Sequence, residues 1–327
     1  MKPEPHSETR PNNDPATWER NLLDKLLFAA IKEQRRARRW GIFFRFAFLA
    51  YLLLLFGVYL PEDMQPAHSG GGHTALVELQ GIIAEDQDAS ADRVIAGLRA
   101  AFENKNTKGV ILRINSPGGS PVQAGYINDE ITELRKKYPK IPLYAVITDI
   151  CASGGYYVAV AANRIYADKS SVIGSIGVLM DGFGFVGAME KLGVERRLLT
   201  AGKHKGLLDP FSPTDSAEVS HLQSVLDELH QQFIEEVKKG RGKRLRGEEE
   251  TLFNGLVWSG RQAIWLGLAD ELGNSSYVAR EVIGAEEIVD FTRERDYLER
   301  FAERFGAVTG KALTSLLTTQ ATSWNVR

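Results

Sequence analysis

From Thr74 onward, short apolar runs alternate with longer stretches whose apolar residues recur every three or four positions, the pattern of strands separated by helices. "TALVELQGII" reads as a strand, "SADRVIAGLRAAFENKNT" as a helix, "KGVILRINSPGG" as a strand running into a glycine loop, and "SPVQAGYINDEITELRKKY" as a second helix. Strand "IPLYAVITD", a helix after Ser153, strand "RIYAD", a turn through "KSSVIGSIG", strand "VLMDG" and a helix near "GAMEKLG" continue the order. Short strands between helical patterns predict an α/β fold, with parallel sheet layers and crossover helices.

The C-terminal part is more helical. "SPTDSAEVSHLQSVLDELHQQFIEEVKKG" sets Val219, Leu222, Val225, Leu226, Leu229, Phe233 and Val237 on a wide stripe, expected to be buried against both the domain and a sister subunit. In "SGRQAIWLGLADELG", Ser259 and Gln262 have capping-box spacing, and Gly267 and Gly273 mark helix breaks. The basic run "KKGRGKRLRGEE" reads mainly as a solvated loop.

Upstream the pattern changes. Trp40 to Leu60 is apolar except for Arg45, and roughly 20 helical residues suffice to cross a bilayer, so one transmembrane helix is expected. Arg35, Arg36, Arg38 and Arg39 precede it and Glu62 and Asp63 follow, which keeps the N-terminus cytoplasmic and sends the larger part across. A cleaved signal peptide is the rival, but "PEDMQPAHSG" offers no small-x-small cleavage site. The expected organisation is a cytoplasmic tail at 1–39, the anchor at 40–60 and a flexible Pro/Gly-rich tether at 61–73. A folded domain at 74–290 carries C-terminal oligomerisation helices, and a partly loose helical extension occupies 291–327. Within the tail, Asp14 as cap, Pro15 at the first helical position and the spacing of Leu22, Leu23, Leu26, Leu27, Ala30 and Ile31 predict an amphipathic helix. It lies on the inner leaflet, meets a partner, or simply continues towards the anchor.

Composition adds two exclusions. With 43% apolar residues and a net charge of −2 over 327 residues, the chain is an ordinary folded one with no general affinity for nucleic acid. Its single cysteine, Cys151, rules out an intrachain disulfide and a cysteine-rich metal site.

The candidate chemistry centres on "DICASGGYYVAVAAN". Ser153 lies between Ala152 and Gly154-Gly155 at a strand-to-helix junction, where unpaired N–H groups face a developing anion. It is either a nucleophile or a small residue at a tight turn. The position two before it is Cys151, so the G-x-S-x-G motif is absent. "NSPGGSP" follows an apolar strand, and Gly118 and Gly119 there either supply backbone donors or make a turn. A serine needs a base. Of the histidines, His6, His68 and His73 fall in the tail and tether, His221 and His230 on a packing helix, and His204 beside two lysines. Lys203 and Lys205 are the better candidates, because a desolvated lysine can lose its proton near neutral pH, and only one of the two is expected to point inward. Tyr156 and Tyr157 either touch substrate or pack.

"INSPGGSP", "ASGGYYVA", "IGSIGV", "AGKHKGLLDPFSP" and "NGLVWSGRQAIWLGLADELG", in this order, resemble the signal peptide peptidase A family of membrane-bound serine proteases, in its short members with one catalytic domain. The resemblance covers roughly residues 74 to 280. It implies a crotonase-like or Clp-protease-like fold and a serine-lysine dyad, with Ser153 as nucleophile and Lys205 as general base in preference to Lys203. By the same resemblance Ser175 orients the lysine, Gly119 donates to the oxyanion and Gly154 partners it. No cofactor or metal is implied. The implied substrates are cleaved signal peptides and other hydrophobic or unfolded peptides, at the periplasmic face of a bacterial inner membrane. The implied assembly is a homo-oligomeric ring, and whether Lys205 serves Ser153 of its own chain or of a neighbour stays open. Three alternatives stand beside this: a membrane quality-control protease resembling the SohB proteins, an acyl-CoA enzyme of crotonase type, and a non-catalytic membrane-anchored scaffold.

Overall fold

The computed structural model describes residues 15–58 and 71–293, which fall in two units divided at Ser69 and Gly70. Of the expected tail at 1–39, tether at 61–73 and extension at 291–327, residues 1–14, 61–70 and 294–327 lie outside the described residues. The first unit is one helix, α1 (Pro15–Val58), starting at the proline that the sequence marks as its first residue. The apolar stripe over residues 22–31 lies outside the described side chains. Along α1, Trp40, Phe43, Phe46, Leu49, Leu53 and Leu54 are exposed. Among the described residues no helix is long and apolar enough to cross a membrane. The expected span ends at Leu60, and the side chains of residues 55–60 lie outside those described.

The second unit is an α/β sheet with its helices in sequence order. β1 (His73–Gln80), α2 (Ala91–Glu103), β2 (Thr107–Ser116), α3 (Pro121–Lys137) and β3 (Leu143–Ala152) alternate as the periodicity predicts. They are followed by α4 (Gly154–Ala159), β4 (Arg164–Ala167), β5 (Val172–Gly174), α5 (Val186–Leu192) and the long α6 (Ser216–Arg241). α7 (Glu249–Leu252), β6 (Val257–Ser259), α8 (Gly260–Trp265), β7 (Glu271–Leu272), α9 (Ser275–Tyr277) with a π-turn over Val278–Ile283, and β8 (Ile288–Asp290) complete it. The strands run in the order β6-β5-β3-β2-β1-β8, with β4 and β7 branching from β3. Every pairing is parallel except β5 with β6. Central strands buried on both faces explain continuous runs such as "GVILRI".

Two expectations about elements change. The turn expected through "KSSVIGSIG" contains β5, because Val172–Gly174 finds an edge to pair with on β3. The strand expected at "VLMDG" does not form: residues 178–182 have no regular secondary structure and no ladder partner, and Leu179 and Met180 are exposed.

One sheet face packs on α2, α3, α4, α6 and α8 through Leu79, Leu98, Leu112, Ile127, Tyr156 and Val237 among others. The opposite face carries a smaller cluster, Leu76, Ile111, Val146 and Tyr166, under Val278 and Ala279. α6 is divided. Phe233 and Val237 are buried, whereas Val219 and Val225 are exposed at 47% and 37%. The domain therefore fully buries only the C-terminal end of the predicted stripe, with Leu222, Leu226 and Leu229 half-buried between. The basic run expected as a solvated loop begins inside α6, whose last turn holds Lys238, Lys239 and Arg241, and Arg241 is buried against Asp270. The Ser259/Gln262 capping box forms, and Asp215 caps α6 through the Ala217 N–H.

Candidate active site

β3 delivers Ser153 from its C-terminal end into α4. Ser153 has φ 52° and ψ −125°, and its N–H donates to the Gly174 carbonyl at 2.9 Å. A non-glycine residue held there stores about 1–3 kcal/mol of strain, and such strain concentrates at functional sites. The glycines around it are required by space. A Cβ on Gly118 would lie 2.7 Å from both Ser153 Cβ and Gly154 N, so the "SPGG" loop packs directly on the serine turn. Ser116 fixes that loop, accepting from the Gly118 N–H at 3.1 Å and donating to the Gly81 carbonyl at 2.6 Å.

Gly119 is placed by Ile83. The Ile83 N–H donates to Gly118 O at 2.9 Å and the Ser120 N–H to Ile83 O at 2.8 Å, a parallel bridge that leaves the Gly119 N–H unused. A Cβ on Gly154 would stand 3.3 Å from Gly119 N, so the two backbones are in contact. No hydrogen bond among the described residues takes up the N–H of Gly119 or of Gly154. Two such donors beside a hydroxyl have the composition of an oxyanion hole.

Ser175 joins the same constellation. Ala152 and Gly174 are register partners across β3 and β5, and the residue after each, Ser153 and Ser175, adopts φ 52°. The Ser175 N–H is held by Leu256 O at 2.8 Å. His230 Nε2 stands 3.1 Å from the carbonyl of the next residue, Ile176, and no histidine among the described residues bonds to Ser153. No group of three His, Cys, Asp or Glu side chains among the described residues is arranged for a metal. Cys151 is fully buried, which pushes its thiol pKa upward and keeps it protonated.

Lys205 and Lys203 lie on an exposed loop, and among the described residues neither is hydrogen-bonded to Ser153 or Ser175. The loop itself is built. Successive turns bond Lys205 N to Gly202 O, Leu207 N to His204 O and Asp209 N to Gly206 O. His204 Nδ1 meets Glu218 of α6 at 3.0 Å, and Asp209 accepts from the Ser212 hydroxyl at 2.6 Å and from Arg196. The Ser212 hydrogen bond, and then Arg196, hold the Asp209 carboxyl below the usual carboxylate range. Phe185 stacks on Phe211 at 5.5 Å.

Tyr156 belongs to the core: it is fully buried with its hydroxyl donating to Leu268 O at 2.8 Å, and Tyr157 packs on Phe233 of α6. A cavity of about 970 Å³ lined by Thr148, Asp149, Lys169, Ser171 and Tyr277 does not include Ser153. Sequence reasoning missed Ile83, whose pairing partner lies 36 positions downstream, and Asn115, which sits in the "INSPGG" run but carries no chemistry of its own.

Residues 135–288, which take in Ser153, Ser175 and Lys205, match peptidase family S49. Over 199 residues the chain is 33% identical to a putative protease of Synechocystis sp., an alignment covering 61% of this chain and 69% of that protein. The chain belongs to peptidase family S49. Its mixed, mostly parallel sheet fits the Clp-protease-like fold expected of an S49 member. It is also 31% identical over 195 residues to a putative signal peptide peptidase SppA of Enterococcus faecium, covering 60% of this chain and 56% of that protein. A Brucella abortus protein named Na(+)/H(+) antiporter NhaA is 42% identical over 187 residues, 57% of this chain and 25% of that protein. The chain thus spans a quarter of the length of the Brucella relative and about half of the enterococcal one.

Proposed function

We propose that this S49 member is a membrane-anchored serine endopeptidase that cuts cleaved signal peptides and other hydrophobic or unfolded peptides with Ser153 and Lys205. The observation that carries the reading is the strained Ser153 turn packed against two N–H groups, of Gly119 and Gly154, that no hydrogen bond among the described residues occupies.

In this mechanism Lys205 Nζ takes the Ser153 hydroxyl proton as Oγ attacks the peptide carbonyl carbon. The carbonyl π pair moves onto oxygen, where the Gly119 and Gly154 N–H groups receive it. Collapse breaks the C–N bond, Lys205 returns the proton to the leaving amine, and water then hydrolyses the serine ester by the same route. Ser175 orients the lysine amine. Lys205 reaches a serine through homo-oligomerisation, because its loop is exposed and the segment that carries it also exposes apolar side chains: Leu179, Phe183, Leu192 and Leu199 are exposed at 77% or more, and Val219 and Val225 of α6 are exposed as well. The stretch Trp40–Leu60 forms the anchor, with the preceding arginines cytoplasmic and the peptidase domain on the periplasmic side, where discarded signal peptides remain in the bilayer.

The test is cleavage of a fluorogenic leader-derived peptide by detergent-solubilised protein, with Ser153→Ala and Lys205→Ala compared at equal oligomeric mass. Both variants are expected to lose most activity. Wild-type rates in Lys205→Ala would remove the lysine from the mechanism.

A further inference from the structure

We propose that Asn115 is a positioning residue for Ser153, clamping a bulge that moves the end of β3 from one neighbouring strand to another. The inference rests on the peptidase reading above and adds a residue to it.

The register between β2 and β3 jumps. Ile114 pairs with Ile147 and Ser116 with Cys151, so Asn115 alone faces three residues, Thr148, Asp149 and Ile150. A bulge bends its strand and re-aims the side chains beyond it. Before it, Tyr144–Ile147 pairs with β4; after it, Ile150–Ala152 pairs with β5. Ser153 comes one residue after the last of these pairs, next to the strand that carries Ser175.

Asn115 closes the bulge with both ends of its amide. Its Oδ1 accepts from the Ile150 N–H at 3.3 Å and its Nδ2 donates to Asp149 Oδ2 at 3.1 Å. The neighbouring contacts pin the rest: the Thr148 hydroxyl donates to Ile114 O at 3.2 Å and the Ser171 hydroxyl to Thr148 O. Only a side chain that both accepts and donates satisfies the Ile150 N–H and the Asp149 carboxylate together. Aspartate at 115 keeps the acceptor but sets two carboxylates face to face; serine keeps the volume small and cannot reach both partners.

The test uses the full chain in detergent with the fluorogenic peptide, measuring kcat and KM separately. Asn115→Asp is expected to lower kcat on the order of tenfold to a hundredfold, the scale of a misplacement near 1 Å, with KM nearly unchanged. The double variant Asn115→Asp/Asp149→Asn restores the donor–acceptor pair with its partners exchanged, and is expected to recover most of kcat. Asp149→Asn alone, which can still present an acceptor to Asn115, stays near wild type. Melting temperatures and oligomeric mass are recorded for each, and if Asn115→Asp does not fold, Asn115→Ser carries the same kcat expectation without a charge. Wild-type kcat in folded Asn115→Asp or Asn115→Ser, or a loss in Asn115→Asp that the exchange fails to rescue in folded protein, overturns the proposal. A wild type that cuts no faster than Ser153→Ala overturns the peptidase reading itself, and this proposal with it.

Discussion

Ser153 and Ser175 leave adjacent strands at the same height, each at φ 52°, one residue beyond the register pair Ala152 and Gly174. The only other non-glycine residue with positive φ among those described is Leu208, in the loop that carries Lys205. Backbone strain in this fold therefore coincides with the three segments assigned to the chemistry.

Strain at Ser153 predicts an order of stabilities. Ser153→Gly, which adopts positive φ freely, is expected to be more stable than Ser153→Ala by about 1 kcal/mol in thermal or denaturant unfolding, although both lack a nucleophile. An alanine variant equal to or more stable than the glycine one would show that the turn is unstrained.

The glycine loop gives a sharper contrast. A Cβ on Gly119 would lie 2.2 Å from Ile83 O, whereas one on Gly125 of α3 meets nothing within 4 Å. Gly119→Ala is expected to cut activity at least a hundredfold, as the loss of one oxyanion donor does. Gly125→Ala, at a half-buried helical site with open space for the added methyl, is expected to leave activity unchanged and to raise stability by up to about 1 kcal/mol. Equal peptidase rates in the two variants would contradict this.

Asp270 ties α6 to the sheet. It accepts from Arg241 at 2.8 and 3.0 Å and from the Ile165 N–H at 2.7 Å, and Arg241 is only 2% exposed. Burial works to raise the Asp270 pKa, but the Arg241 bonds and charge, the Ile165 N–H and Arg244 outweigh it, and the net shift is downward. A depressed carboxylate stabilises the fold fully above its unfolded pKa of about 3.9, and that stabilisation disappears as pH falls through the folded value. Asp270→Asn, which strands a buried guanidinium, should lose about 3–5 kcal/mol near neutral pH and show a shallower acid decline than wild type. Urea midpoints between pH 3 and 7 measure both.

Leu199 is 97% exposed in the single chain. If its loop is an assembly surface, Leu199→Asp leaves the helical circular dichroism unchanged but lowers the oligomeric mass in light scattering and the peptidase rate together. Full assembly with full activity would contradict that use of the surface.

Much of the fold was legible because its central strands and their crossover helices have clean periods. β5 was hidden: three residues, Val172–Gly174, reading as a turn become a strand only because β3 bends away from β4 and offers an edge. The glycine and serine positions of the site were legible from their motifs, since small residues are needed where backbones touch. The devices that aim them were not. Ile83 and Asn115 act through one backbone bridge and one amide, contacts set by register rather than by any local pattern. The stripe on α6 was legible as apolar, but its two halves face different surroundings, which no single period distinguishes.

The most direct test of the account is intact-mass and peptide-mapping spectrometry after treatment with a fluorophosphonate, which bonds covalently to an activated serine. The account predicts one adduct per chain, on Ser153, absent in Lys205→Ala at equal oligomeric mass. An adduct on another residue, or equal labelling of Ser153 without Lys205, would contradict it.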